Sequence, residues 1–305
     1  MNTGQGTIRL FRLASIDVFL HWSWFLVAMF EINGRSKSYS SLFWNICEYL
    51  ALFLIVLMHE FGHALACRQV GGSANRIVLW PLGGVAYVDP PPRAGATLWS
   101  IAAGPLVNVA LVPTFLVIGF VFRSVGLKAA MPDLYSLLQS VAWINVGLLA
   151  FNLLPIYPLD GGQILRSLLW FLLGRARSLM VAAVLGFVGV AGFLLWALYR
   201  QSLWIGAIAV FMLLNCWNGL QHARALLRIA KLPRRDGFAC PSCHAAPPVG
   251  PFWKCGECTN AFDTFLTQAS CPVCSARFLT TTCLDCHKQS PFGEWVSTPT
   301  TAAHA

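Results

Sequence analysis

Of the 305 residues, 57% are apolar and only 11% charged, and the mean hydropathy is +0.63, which excludes an ordinary soluble domain as the whole of this chain. The net charge of +9 sits mostly beside apolar runs, where topology and anionic headgroups account for it, so nucleic acid is an unlikely partner. The composition predicts an α-helical polytopic membrane protein in contact with a lipid bilayer.

Met1 to Ser15 lacks the basic, apolar and small-residue succession of a cleavable signal peptide, so the first apolar run is expected to be retained. A bilayer core needs about 20 apolar residues per helix, and six candidate spans lie near 17–32, 43–66, 97–122, 135–155, 179–199 and 203–221. With the N-terminus inside, 13 Lys and Arg face inward, Arg68, Arg76, Arg166, Arg234 and Arg235 among them, against five outside (Arg35, Lys37, Arg123, Lys128, Arg200). The excess predicts cytoplasmic N- and C-termini. In the first span, "DVFLHWSW", His21 beside two tryptophans reads as an interfacial residue.

The second span ends in "HEFGH". His59 and His63 are four apart, so on a helix they project from one face and can share a zinc ion through their imidazoles. Glu60 is turned about 100° from His59 and can reach a water on that metal without being a ligand. Burying His, Glu and His together in an apolar helix is unfavourable by several kcal/mol unless something compensates. Between the second and third spans, "NRIVLWPLGGVAYVD" has β-favouring residues around a Pro-Leu-Gly-Gly turn and predicts a small membrane-associated β-hairpin. Either it holds an unwound substrate by strand addition, or Trp80 and Tyr87 merely anchor it at the interface.

A catalytic zinc usually has a third protein ligand and one open position. The fourth span ends in "FNLLPIYPLDGG", which brings Asp160 to the same membrane face; Pro155 and Pro158 stop the helix before it. Asp160 has a second reading as an N-cap, with Gln163 completing a capping box ahead of "ILRSLLWFLL". Asn108 and Asn145 read as an interior polar seam that bonds across helices.

After "RALLRIAKLPRRDG" the chain turns polar and Cys-rich. Eight of the 11 cysteines form four C-x-x-C knuckles: Cys240 and Cys243, Cys255 and Cys258, Cys271 and Cys274, Cys283 and Cys286. They predict two structural four-Cys zinc sites in a double zinc ribbon, with thiols kept reduced in the cytoplasm. "CPSCHAAPPVGPFW" and "CLDCHKQSPFGEW" are alike, which suits pairing in series, first knuckle with second and third with fourth; crossed pairing stays open. Closed four-Cys sites suit docking or regulation, and a cytoplasmic protein partner is expected. Cys47, Cys67 and Cys216 read as packing residues. The expected organisation is a membrane domain over 1–235, the ribbon over 238–296 and a disordered tail over 297–305.

Taken together, "HEFGH", "PLGGVAYVD", "AAGPLVN" and "NLLPIYPLDGG" resemble the site-2 proteases, membrane-embedded zinc metalloproteases, over roughly residues 8 to 225. The resemblance implies that His59, His63 and Asp160 are zinc ligands, Glu60 the general base, and Asn152 a group near the substrate carbonyl. It also implies a multi-pass protein of a bacterial or archaeal cell membrane that hydrolyses a peptide bond within or near a substrate's transmembrane segment, in regulated intramembrane proteolysis. One catalytic and two structural zinc ions are expected. The alternative is a catalytically silent membrane scaffold whose ribbon binds a protein or nucleic acid.

Overall fold

The computed structural model describes residues 6–34, 39–80, 83–286 and 288–296. The expected disordered tail and the Pro81–Leu82 tip of the hairpin lie outside them. The chain forms two compact units, Met1–Leu220 and Gln221–Ala305.

In the first unit, β1 (Thr7–Leu13) pairs antiparallel with β2 (Ile16–His21). Two helices follow, α1 (Ser23–Gly34) and α2 (Leu42–Gln69). Then β3 (Ser73–Trp80) lies parallel to β2 and turns antiparallel into β4 (Gly83–Asp89), so the sheet order is β1-β2-β3-β4. The expected hairpin is thus half of a four-stranded sheet, and the expected first span is divided between β2 and α1. The reason is a period of two: Ile16 and Val18 are fully buried, while Asp17 points to the other face and pairs with Arg9 at 2.7 Å. Ile16, Val18, Ile77 and Leu79 pack with Val56, Leu57, Ala64 and Cys67, burying one face of the sheet against α2.

The remaining helices are α3 (Ala94–Ser124), the short α4 (Leu127–Ala130), α5 (Pro132–Asn152), α6 (Asp160–Arg200) and α7 (Leu203–Ala230). Five of the described helices (α2, α3, α5, α6, α7) are long and apolar enough to cross a membrane. The 12 residues of α1 reach only about 18 Å at 1.5 Å each. Because β2 and β3 share a sheet, the chain between them must leave and return, and α1 makes the outward leg that α2 retraces. Within α6, Gly174 has φ 76° and ψ 169°, a backbone conformation open to glycine, and it separates residues 160–173 from the longer apolar stretch.

The second unit contains the last turns of α7 and the Cys-rich segment, built on two small hairpins, β5 (Trp253–Lys254) with β6 (Ala261–Phe262) and β7 (Thr280–Thr282) with β8 (Gln289–Pro291). Its core is aromatic: the Phe265 ring lies 5.3 Å from Trp253 and 5.0 Å from both Phe238 and Trp295. Arg234 ties α7 to this unit, donating to the Ile229 carbonyl at 3.3 Å, the Ala246 carbonyl at 2.7 Å and both Asp285 oxygens at 2.7 and 3.0 Å. Arg235 pairs with Asp263 at 2.6 Å. These two arginines, counted by sequence among the 13 inside charges, are engaged within the unit.

Candidate metal centre

His59 and His63 lie one turn apart on α2, and both are buried. Their orientation is set by α3, where Ser100, Gly104 and Asn108 recur every four residues and form one stripe. His59 Nδ1 donates to Asn108 Oδ1 at 2.6 Å, and His63 Nδ1 donates to the Ser100 carbonyl at 2.9 Å. A side chain at Gly104 would overlap the His63 ring. With Nδ1 committed as donor, each neutral imidazole presents its Nε2 lone pair. Asn108 is itself held, donating to Asn145 Oδ1 at 2.8 Å while Asn145 donates to the Asn108 carbonyl at 3.0 Å. The two asparagines bond across helices as their sequence positions suggested; what the sequence reading missed is that this seam orients a metal-type histidine. The four-residue spacing of Ser100, Gly104 and Asn108 in an apolar helix was the available signal.

The two Nε2 atoms are 3.1 Å apart. Asp160 Oδ2 lies 3.0 Å from His59 Nε2 and 3.4 Å from His63 Nε2. Bonds of about 2.0–2.1 Å to a tetrahedral zinc require ligand separations of about 3.3 Å. Three lone pairs this close repel unless a cation lies among them, so the donor set fits zinc. The capping reading of Asp160 does not hold: Leu159 is the N-cap, no side chain caps the helix, and Gln163 donates instead to the Pro158 carbonyl at 3.0 Å. Asp160 opens α6 with its carboxylate turned to the histidines.

Glu60 is buried and its Oε2 accepts the Ala86 N–H of β4 at 2.8 Å. Gly84 lies so close that a Cβ there would overlap the Glu60 carboxylate. Edge strand β4 therefore covers Glu60, the residue expected as general base, a contact that sequence spacing could not reveal. Asn152 closes α5 and is half-buried; among the hydrogen bonds of the described residues, the asparagine that reaches the histidine pair is Asn108. His21 bonds the Ser23 hydroxyl and stacks on Trp80 at 4.2 Å, a position consistent with its interfacial reading.

In the second unit the cysteines form two four-thiol clusters, but not in series. Cys240 faces Cys286 and Cys243 faces Cys283, each at 3.7 Å; Cys255 faces Cys274 and Cys258 faces Cys271, each at 3.6 Å. Tetrahedral zinc with Zn–S bonds of about 2.3 Å needs S···S separations near 3.8 Å. The pairing is nested, first knuckle with fourth and second with third, because the ends of the segment zip together: Phe238 bridges to Val296, and the Ala239 N–H donates to the Trp295 carbonyl at 2.8 Å. The like halves of the internal repeat share one site. The Cys274 N–H, against a smaller opposing effect of burial, and the Val273 N–H hold the Cys271 thiol down to about 6, so that ligand ionises readily.

The family model for peptidase family M50 matches residues 48–133 and 125–196. A zinc metalloprotease of Methanocaldococcus jannaschii is 32% identical over 206 residues, 68% of this chain and 58% of that one. Rip3 of Mycobacterium tuberculosis is 32% identical over 234 residues, 68% of this chain and 57% of that one. The chain thus spans somewhat over half the length of these curated relatives. The solved structure of the site-2 protease from Methanocaldococcus jannaschii superposes with a TM-score of 0.52 at 28% identity, covering 70% of this chain and 95% of that one.

Proposed function

Because the chain belongs to the site-2 protease family, peptidase family M50, we propose that it is a membrane zinc endopeptidase that cuts a substrate in or near its transmembrane segment, as in regulated intramembrane proteolysis. The observation that supports this most directly is the convergence of His59, His63 and Asp160 at zinc-type separations beside a buried carboxylate. Zinc held by these three residues would supply the electrophile that acidifies water and polarises a carbonyl. Glu60 takes the proton from the attacking water and delivers it to the departing amide nitrogen. Asn108 and the Ser100 carbonyl keep both Nε2 atoms aimed at the metal, as outer partners of metal-bound histidines do. Asn152 is assigned to the substrate carbonyl, where a side-chain amide would stabilise the oxyanion. The ribbon holds two further zinc ions, three per chain in all, and acts in docking or regulation through a cytoplasmic protein.

A helical substrate hides its peptide bonds, so it must unwind to be cut. Strand β4 pairs with β3 on one side only, and the Ala86 N–H points outward to Glu60; by the period of two, the Gly84 and Val88 N–H groups share that edge. An unwound substrate adds there as a further strand. The return of α2 to the sheet that α1 leaves, followed by the four long helices α3, α5, α6 and α7, supports N- and C-termini on one side, and the Lys/Arg excess supports the cytoplasm of a bacterial or archaeal cell.

Candidate single-span proteins co-expressed with wild type and with Glu60→Gln test the activity. The variant should retain zinc and lose cleavage by about 10²-fold or more; equal processing by both would leave only the scaffold reading. Val88→Pro removes one outward donor and should slow cleavage severalfold with the zinc retained. Unchanged cleavage would discard strand addition without touching the metal chemistry.

A further inference from the structure

The segment between α5 and α6 leads into Asp160 and is held by short turns rather than a continuous backbone ladder. Pro155 and Pro158 contribute no N–H, and the segment's short turns include Ile156 N–H to the Leu154 carbonyl at 2.7 Å and Leu159 N–H to the Ile156 carbonyl at 2.9 Å. Support for its middle comes from elsewhere. Cys216 of α7, fully buried, donates its S–H to the Tyr157 carbonyl at 2.9 Å. A Cβ added at Gly219, one turn further along α7, would meet Tyr157 Cε1 at 2.8 Å. On α6, a Cβ at Gly186 would lie 2.6 Å from Cys216 Sγ and 3.0 Å from the Tyr157 carbonyl oxygen. Ile156, Tyr157 and Leu159 pack on the cluster of Val190, Met212 and Cys216. Cys216, read from sequence as packing only, thus meets the one carbonyl that lies three residues before the third ligand.

We propose that Cys216 and Gly219 of α7 are positioning residues for the metal centre: they seat Tyr157, and Tyr157 places the Asp160 carboxylate against His59 and His63. The physical reason is leverage. The histidines are fixed by a continuous helix and by α3, whereas Asp160 follows a segment whose position its own hydrogen bonds underdetermine. Losing the thiol leaves a buried carbonyl without its donor. Filling the Gly219 gap displaces the ring, and a shift of a few tenths of an ångström is transmitted through three residues to a ligand that tolerates little. This inference rests on Asp160 being a zinc ligand.

The test uses the full chain in detergent micelles and the metal alone as probe. Zinc loss to excess EDTA is followed by mass spectrometry, with the ion missing from a His63→Ala reference identifying the membrane site. Cys216→Ala and Gly219→Ala should each release that ion about tenfold faster, in the range typical of outer-shell changes, while the ribbon ions leave at the wild-type rate. Hydrogen exchange over residues 153–162 should rise in both. Cys216→Ser, whose hydroxyl can donate to the same carbonyl, should restore most of the retention; simple loss of packing would not be rescued this way. Wild-type retention in both Cys216→Ala and Gly219→Ala would overturn the proposal. Asp160→Ala with the membrane ion still bound would overturn the ligand assignment beneath it, a separate failure.

Discussion

The two kinds of metal site are built by opposite strategies. In the ribbon each knuckle is a local turn, the thiols of a pair are three residues apart, and backbone N–H groups ionise a ligand such as Cys271 within the same turn. In the membrane unit His59 and Asp160 are 101 residues apart in sequence, and their geometry is imposed by α3, α6 and α7. The Cys-rich unit gathers four thiols in each cluster, whereas the membrane unit gathers three donors beside the Glu60 carboxylate, which accepts the Ala86 N–H. Local turns place the thiols of each pair and contacts between the ends of the segment bring the pairs together, whereas the three donors of the membrane unit depend on distant helices throughout.

The sharpest way to break this contrast is to remove one ligand from each site. Asp160→Ala should abolish binding of the membrane ion and leave two zinc ions per chain, with the fold of both units intact. Cys283→Ser should lose one ribbon ion and unfold the part of the ribbon it organises, since a structural zinc contributes about 10 kcal/mol or more to such a fold. Elemental analysis with circular dichroism checks both, and loss of the membrane fold in Asp160→Ala would mean that its metal is structural too.

A smaller effect is expected at Asn108. Asn108→Ala removes the acceptor of the His59 N–H and should weaken the membrane ion about 10- to 100-fold, measured by competition with a chelator. In the ribbon the donors that orient Cys271 are the backbone N–H groups of Cys274 and Val273. The smallest effect concerns acidity. A thiol held down to about 6 lies below its ordinary value, so its ionised form favours the folded ribbon; that contribution is full above the ordinary thiol range and is lost as the pH falls from there through about 6. Zinc titrations of the full chain from pH 9 to 5 should show uptake at the Cys255–Cys274 site weakening across that range, as protons compete for its four thiols. Uptake that stays constant to pH 5 would show that these thiols are not the ligands.

Much of this was legible beforehand because it is written in short-range patterns. Apolar runs of spanning length, His59 and His63 at helical spacing, and paired cysteines each need only local geometry, and the structure realises them as α2, α3, α5 to α7 and two thiol clusters. Where the reading went astray, the deciding contact was distant. Residues 17–21 looked like the start of a span because apolarity alone does not separate a buried strand from a membrane helix; partnership with β3 made them part of β2. At Asp160 the reading stood open between a capping box and a metal ligand until the resemblance favoured the ligand, and its carboxylate meets two histidines brought up from α2. The knuckles were expected in series because that would give each zinc one knuckle of each kind, with crossed pairing left open, and the zipping of Phe238 and Ala239 against Trp295 and Val296 nested them instead.

By itself the sequence determined which atoms are available: two imidazoles on one helix face, a carboxylate beside them, an aspartate after a broken helix, and eight thiols in pairs. Only the tertiary structure decided how they are aimed. Asn108 and the Ser100 carbonyl choose the tautomer of each histidine, Gly84 and Ala86 lay an edge strand on Glu60, and Cys216 holds the carbonyl that precedes Asp160. Each of these is a contact between elements far apart in the chain. Residue identity and spacing establish what a side chain can donate or accept, but its direction is settled by packing partners that no local pattern names.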